Sequence, residues 1–109
     1  MTKKIDYTES YGNVFADLGL ENAEELHAKS KLAVQILRII KKRKLTQIKA
    51  AKILATNQSQ LSLLRSGDCL ERFTFDRLMS WLTKLDQNIT VTVKRKSRNQ
   101  ESAAIHVAV

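Results

Sequence analysis

The chain has 109 residues, a formal net charge of +8 and no proline, which together predict one mostly helical domain with an anionic partner. Nucleic acid, an anionic membrane surface and an acidic protein are the candidates, but no apolar stretch approaches the ~20 residues of a membrane-spanning helix. The polar N-terminus shows no secretory signal, and the single cysteine, Cys69, excludes an internal disulfide and a CxxC zinc pair, which favours the cytoplasm.

The first 28 residues are predicted to form an acidic N-terminal arm. They contain two lysines and six carboxylates, whereas residues 29–109 contain 17 basic and five acidic residues. An acidic arm on a basic body predicts two different partner surfaces. Glu24 and Glu25 have an equally good alternative role, because carboxylates favour the N-terminus of a helix. A short helical turn is also expected around Phe15.

A long amphipathic helix is predicted to follow. Asn22 is the expected N-cap, with Glu25 at the capping-box position. Apolar residues then recur with the 3.6-residue helical period, at Leu32, Ala33, Ile36, Leu37 and Ile40. The basic run 41–44 ends the helix, since positive charge is favourable at a helix C-terminus.

Three shorter helices are predicted next. Thr46 is the expected N-cap of a helix over 47–54, and a turn at 55–57 leads to a helix over 58–65 that ends before Gly67. Thr74 is the expected N-cap of a helix over 75–85, with Trp81 beside its apolar stripe.

The C-terminal part changes to a two-residue period. The segment Ile89–Lys94 alternates and is β-branched, which predicts a strand, and Ile105, Val107 and Val109 alternate again. A strand needs a hydrogen-bonded neighbour. The same strand of a second subunit is favoured as this neighbour, the chain's own tail is a close second, and a strand of a protein partner is the third alternative.

The predicted fold class is therefore mostly α. It is a compact helical bundle with a helix-turn-helix, plus a short C-terminal β-strand or hairpin. Residues 1–28 form the acidic arm with its short helix, residues 29–86 form the helix-turn-helix domain, and residues 87–109 form the C-terminal strands and basic tail.

The segment 45–67 meets the requirements of a helix-turn-helix. Two short helices that cross steeply need a small residue where they touch, which Ala51 supplies. They also need apolar residues that hold the pair together and a cap that starts the second helix, which Asn57 supplies. The apolar residues are Leu54, Leu61 and Leu64. A plain helical hairpin is the alternative interpretation.

The second motif helix has a polar face. On a helical wheel, the side opposite Leu61 and Leu64 carries Gln58, Ser59, Ser62, Leu63 and Ser66. Glutamine can bond adenine bidentately, and serine serves donor or acceptor edges. This face is predicted to read bases in the major groove. Leu63 is either a further core residue or a contact to a thymine methyl group.

The motif resembles the helix-turn-helix of Cro/cI-type repressors, the XRE family. The matching residues are Thr46, Gln47, Ala51, Leu54, Gln58, Leu61, Ser62, Leu64 and Gly67. The resemblance implies a lambda-repressor-like fold in which the Gln47 position contacts phosphate and the stretch 57–63 approaches phosphates and bases. The family usually has glycine where this chain has Ala55. Because the left-handed conformation costs alanine roughly 1 kcal/mol or more, a wider or slightly different turn is expected.

A broader similarity covers about residues 14–95. The segments 15–19, 23–25 and 73–78, together with the long helix, look like the small HigA-like antitoxin branch of this family. That branch pairs with a RelE/HigB-type ribonuclease toxin, so the resemblance implies a repressor of its own operon. A homodimer is expected because one short recognition helix supplies few contacts. A stand-alone XRE-type regulator and a protein that mainly inhibits a basic ribonuclease are the alternatives.

The predicted contacts to a double-stranded DNA operator lie within the motif. They are Thr46, Gln47, Lys49, Asn57, Gln58, Ser59, Gln60, Ser62, Leu63 and Arg65. Lys49 is equally compatible with phosphate contact and with an ordinary solvent-exposed face. His27 and His106 lack the spacing of metal ligands, and no catalytic arrangement is apparent, so neither an enzyme nor a metal or cofactor is predicted.

Overall fold

The computed structural model describes residues 23–99 and 104–109. Within them the chain forms four α-helices and a single 3₁₀ turn. These are α1 (Ala23–Lys42), α2 (Gln47–Leu54), α3 (Gln58–Ser66), the 3₁₀ turn (Leu70–Arg72) and α4 (Phe75–Lys84). The predictions for the acidic arm, its short helix and the Asn22 cap lie mostly or wholly outside the described residues.

The predicted long helix is confirmed as α1. Its apolar stripe packs against α3, α4 and the 3₁₀ turn, and α2 packs against α3 and α4. In the described part of the chain eighteen apolar residues are buried, and Ile36, Leu64 and Leu78 are among those at the centre of the core. α1 begins before residue 29, and Leu26 already belongs to the core cluster.

The three predicted N-caps are confirmed. Thr46 accepts a hydrogen bond from the backbone N–H of Lys49 at 3.2 Å, and Asn57 accepts one from Gln60 at 2.9 Å. Thr74 caps α4 in the same way, with its hydroxyl 3.1 Å from the backbone nitrogen of residue 77. Each cap satisfies one of the N–H groups that a helix leaves unpaired in its first turn, so the sequence determines where these three helices begin.

The turn between α2 and α3 contains a left-handed residue, as in the related repressors, although alanine replaces their usual glycine. Ala55 has φ 56° and ψ 46°, and its backbone N–H donates to the carbonyls of Ala51 and Lys52. A different turn geometry is therefore not needed, and the alanine itself takes the strained conformation, in which its Cβ approaches the following carbonyl oxygen.

The strain at Ala55 gives a stability prediction. Ala55→Gly is expected to raise the free energy of unfolding by about 0.5–1 kcal/mol, because glycine lacks the Cβ but loses more backbone entropy on folding. Urea unfolding followed by the fluorescence of the single tryptophan measures the change. Ala108→Gly, at an exposed position outside the helices, is a control without effect. An unchanged or lower stability of Ala55→Gly would contradict the strain.

Cations from neighbouring helices bind carbonyls at two helix ends. Arg43, just after α1, donates to the carbonyl of Leu85 at 2.7 Å, and its guanidinium lies 3.4 Å from Asp86. The ammonium of Lys84 donates to the carbonyl of Leu54 at 3.3 Å. Positive charge is favourable at a helix C-terminus, so these contacts hold the end of α4 against α1 and α2.

The prediction of a C-terminal β-strand is wrong for the single chain. Residues 87–99 and 104–109 are not helical, but the structure assigns no strand to either segment. Val91 is 72% and Val93 is 92% exposed, so neither side chain covers the end of α4. A strand exists only when a neighbour pairs with its backbone, and an alternating sequence does not supply that neighbour.

The end of the chain nevertheless contacts the helical domain. Val107 packs on the core cluster, and its carbonyl accepts a hydrogen bond from the Lys31 ammonium at 3.4 Å. The tail therefore returns to α1 without regular secondary structure and without forming a hairpin among the described residues. No helix in the described part of the chain is both long and apolar enough to cross a membrane.

Candidate nucleic-acid interface

The two motif helices pack as the sequence predicts. Ala51 is buried where α2 and α3 meet, and Leu54, Leu61 and Leu64 are buried in the core. The small residue allows the helix backbones to approach, and the leucines hold the pair on α1 and α4. The orientation of α3 is therefore set by apolar contacts on one side, which leaves its other side for polar residues.

A shallow open depression lies on the polar side of the motif. It is lined by Gln47, Gln58, Ser59, Ser62, Leu63, Ser66, Asp68 and Cys69. Five of these residues are predicted DNA contacts, and Ser66 lies on the predicted reading face without being among those contacts. The structure thus brings the start of α2 and the exposed face of α3 into one surface, as a helix-turn-helix requires.

Leu63 combines both of the roles considered for it. It is half-buried and packs on the core cluster, yet it also lines the depression. Ser66 is held by its neighbours, since its hydroxyl donates to the Leu63 carbonyl at 2.8 Å and accepts from the backbone N–H of Asp68 at 3.4 Å. The C-terminal edge of the depression is consequently more constrained than its N-terminal edge at Gln58, which is exposed.

Other predicted contacts lie outside the depression. The side-chain oxygens of Thr46 and Asn57 serve as helix caps, and Lys49 is exposed in the first turn of α2. Gln60 is half-buried, and its amide oxygen accepts a hydrogen bond from Arg77 at 2.9 Å. Arg65 is half-buried, and its buried Nε makes no hydrogen bond within the described chain.

Arg77 of α4 is a residue that sequence reasoning did not select. Its guanidinium carbon lies 5.0 Å from the ring centres of both Phe73 and Trp81. The spacing to Trp81 was a usable signal, because Trp81 follows Arg77 by four residues within α4, and residues four apart share a helix face. Only the structure shows that this face meets α3 at Gln60.

Metal chemistry has no support in this region. No group of three or more His, Cys, Asp or Glu side chains comes together among residues 23–99 and 104–109. Cys69 is a free, half-buried thiol at the rim of the depression. Most of the polar groups that line the depression are amides and hydroxyls, which can bond the edges of bases.

Comparison with known proteins agrees with this geometry. A family model described as "Helix-turn-helix domain" matches residues 14–94. A solved structure described as an XRE family transcriptional regulator is 36% identical, with a TM-score of 0.71, and the match covers 80% of this chain and 97% of that one. A comparison with curated proteins gives no match.

The family match spans most of the chain, and the structural match extends over nearly the whole length of the solved regulator. The family match includes α2 and α3, whose polar side forms the depression. The chain therefore belongs to the helix-turn-helix domain family, as a DNA-binding transcriptional regulator of the XRE type.

Proposed function

We propose that the protein is a sequence-specific repressor that binds its operator as a homodimer and acts as the antitoxin of a type II toxin–antitoxin pair. The observation that supports operator binding is the polar depression, in which Gln58, Ser59 and Ser62 of α3 lie beside Gln47 of α2. A surface that joins the start of one motif helix to the exposed face of the other suits a major groove.

The exposed side chains of α3 suit base reading. Gln58 is exposed in the first turn, where its amide can donate to N7 and accept from N6 of adenine. Ser59 and Ser62 are exposed hydroxyls on the same side, and Leu63 presents an apolar surface for a thymine methyl group. We assign Gln47 and Lys49 to phosphate contacts, which would set the position of α3 without reading sequence.

A homodimer is supported by the length of α3 and by the C-terminal segment. α3 has nine residues, and one such helix offers few base contacts, whereas a two-fold dimer doubles them. The stretch from Ile89 to Val93 is β-branched and exposed, and no strand pairs with it among the described residues of its own chain. Pairing with the same segment of a second copy would satisfy its backbone and fix the distance between recognition helices.

The antitoxin role rests on the uneven charge of the sequence and on the resemblance to the HigA-like branch. Residues 1–28 carry a net negative charge and would be repelled by DNA, so we assign them to a basic protein such as a RelE/HigB-type ribonuclease. A stand-alone regulator would need no such arm. A protein that mainly inhibits a basic enzyme would bind that enzyme far more tightly than any operator.

Two measurements on the full chain test this proposal. Co-expression with the product of the adjacent gene should give a complex that co-purifies, and deletion of residues 1–13 should weaken it while operator affinity stays equal or rises. Operator affinity is measured by salt titration on a duplex selected by the full chain from random sequences.

The outcomes separate the alternatives. Operator binding without any co-purifying protein would favour the stand-alone regulator and contradict the antitoxin role. A tight complex with no sequence preference on DNA would favour the inhibitor. If the deletion abolishes operator binding, the arm belongs to the DNA-binding domain, and its assignment to a basic partner is wrong.

A further inference from the structure

The guanidinium of Arg77 is held in a fixed position. It packs on Phe73 and Trp81, which are themselves buried and in edge-to-face contact with ring centres 5.7 Å apart. Cation–π contacts of this kind are attractive, and more strongly so where water is excluded. The aromatic pair therefore fixes a side chain that would otherwise sample many rotamers.

Arg77 also fixes Gln60. One guanidinium nitrogen donates to the Gln60 amide oxygen at 2.9 Å, and a bond from a charged donor is stronger than a neutral one. The bond turns the Gln60 oxygen towards Arg77, so the oxygen and the NH₂ group of this amide do not both face an adenine edge as those of Gln58 can. What it presents to a ligand is its NH₂ group, so it acts as a donor, unlike Gln58.

The pair is rich in donors and keeps its positive charge. Arg77 has five side-chain N–H donors, of which the contact to Gln60 uses one. Its neighbour Asp76 is exposed, and no ion pair joins these two side chains in the described part of the chain. A cluster of N–H donors with a net positive charge suits a phosphate oxygen.

The pair also lies beside the depression. Gln60 precedes Leu63 by three residues, and residues three apart are neighbours on a helix surface, so Gln60 lies next to a residue that lines the depression. If α3 enters the major groove, the residues on its flank face the sugar–phosphate backbone, while those at its centre face the bases.

We propose that Arg77 and Gln60 form a binding site for one backbone phosphate of the operator, with Arg77 supplying the charge and fixing the Gln60 amide. This inference rests on the proposed binding of DNA through α3. It assigns to α4 a direct contribution to DNA affinity, and it makes Gln60 a phosphate contact and Gln58 the base-reading glutamine.

Salt titration of Arg77→Met tests the site, because methionine keeps an apolar contact with the rings and removes the charge. On both the selected operator and a mixed-sequence duplex of equal length, binding should weaken about tenfold. The slope of log K against log salt should fall by about one unit. Lys84→Met is the matched control, since it removes one charge from the same helix at a site bonded to Leu54, and its slope should be unchanged.

Gln60→Met keeps the test informative if Arg77→Met does not fold, which Trp81 fluorescence monitors. It should weaken binding to both duplexes by about threefold to tenfold with the salt slope unchanged, because no charge is lost. Loss on the operator alone would show that Gln60 reads a base and would overturn the proposal. An unchanged slope of log K against log salt in a folded Arg77→Met variant would also overturn the proposal. If the wild type binds no duplex at all, the proposed function fails as well.

Discussion

Gln58→Ala is expected to weaken binding to the selected operator by about 1–3 kcal/mol, which is roughly a fivefold to 150-fold loss. The side chain is exposed in the first turn of α3 and lines the polar depression. Truncation removes a bidentate contact to a base and leaves the core intact, so the melting temperature should not change. Fluorescence anisotropy on the operator and on a mixed-sequence duplex measures the two affinities.

Lys49→Ala provides the comparison for this prediction. Lys49 is also exposed, but it lies in the first turn of α2, where a phosphate contact is expected. Its loss should weaken both duplexes alike, so the ratio of the two affinities stays constant. For Gln58→Ala that ratio should fall. An equal loss on both duplexes for Gln58→Ala would show that Gln58 does not read bases.

Val91→Pro is expected to convert the dimer into a monomer and to reduce binding to a two-half-site operator by about 100-fold or more. Proline removes one N–H donor and blocks regular pairing in the middle of the predicted intermolecular strand. Because Val91 is largely exposed in the single chain, the substitution should leave the helical domain folded. Analytical ultracentrifugation gives the mass, and binding to one half-site should change little.

Ser97→Pro is the matched control, since it introduces proline into the same exposed segment beyond the β-branched run. It should remain dimeric and bind both operators normally. A Val91→Pro variant that also remains dimeric would exclude this strand as the dimer contact. The tail that returns to α1 through Val107 would then be the next candidate.

The elements best predicted from sequence are those determined by local chemistry. Thr46, Asn57 and Thr74 cap the helices that follow them, because a short polar side chain before an amphipathic run satisfies orphan N–H groups whatever the rest of the fold does. The pairing of α2 with α3 was also accessible, since Ala51 and Leu61 follow the helical period that buries them.

The features that depend on distant parts of the chain were not accessible in the same way. The alternation from Ile89 to Val93 predicts a strand, but strand formation depends on a neighbour that the single chain does not place beside it. The bond between Gln60 and Arg77 joins residues 17 positions apart on different helices. No local pattern reports the relative orientation of two helices, so Gln60 looked like any other polar residue of α3.

The half-buried position of Leu63 has a consequence for how this regulator can change its target during evolution. Substitutions at the exposed Gln58, Ser59 and Ser62 alter the groups offered to a base with little effect on stability, typically within about 0.5 kcal/mol. A change at Leu63 alters the same surface but also repacks the core. New operators are therefore more readily acquired through the first two turns of α3, and Leu63 is the position where a gain in specificity carries the risk of a less stable protein.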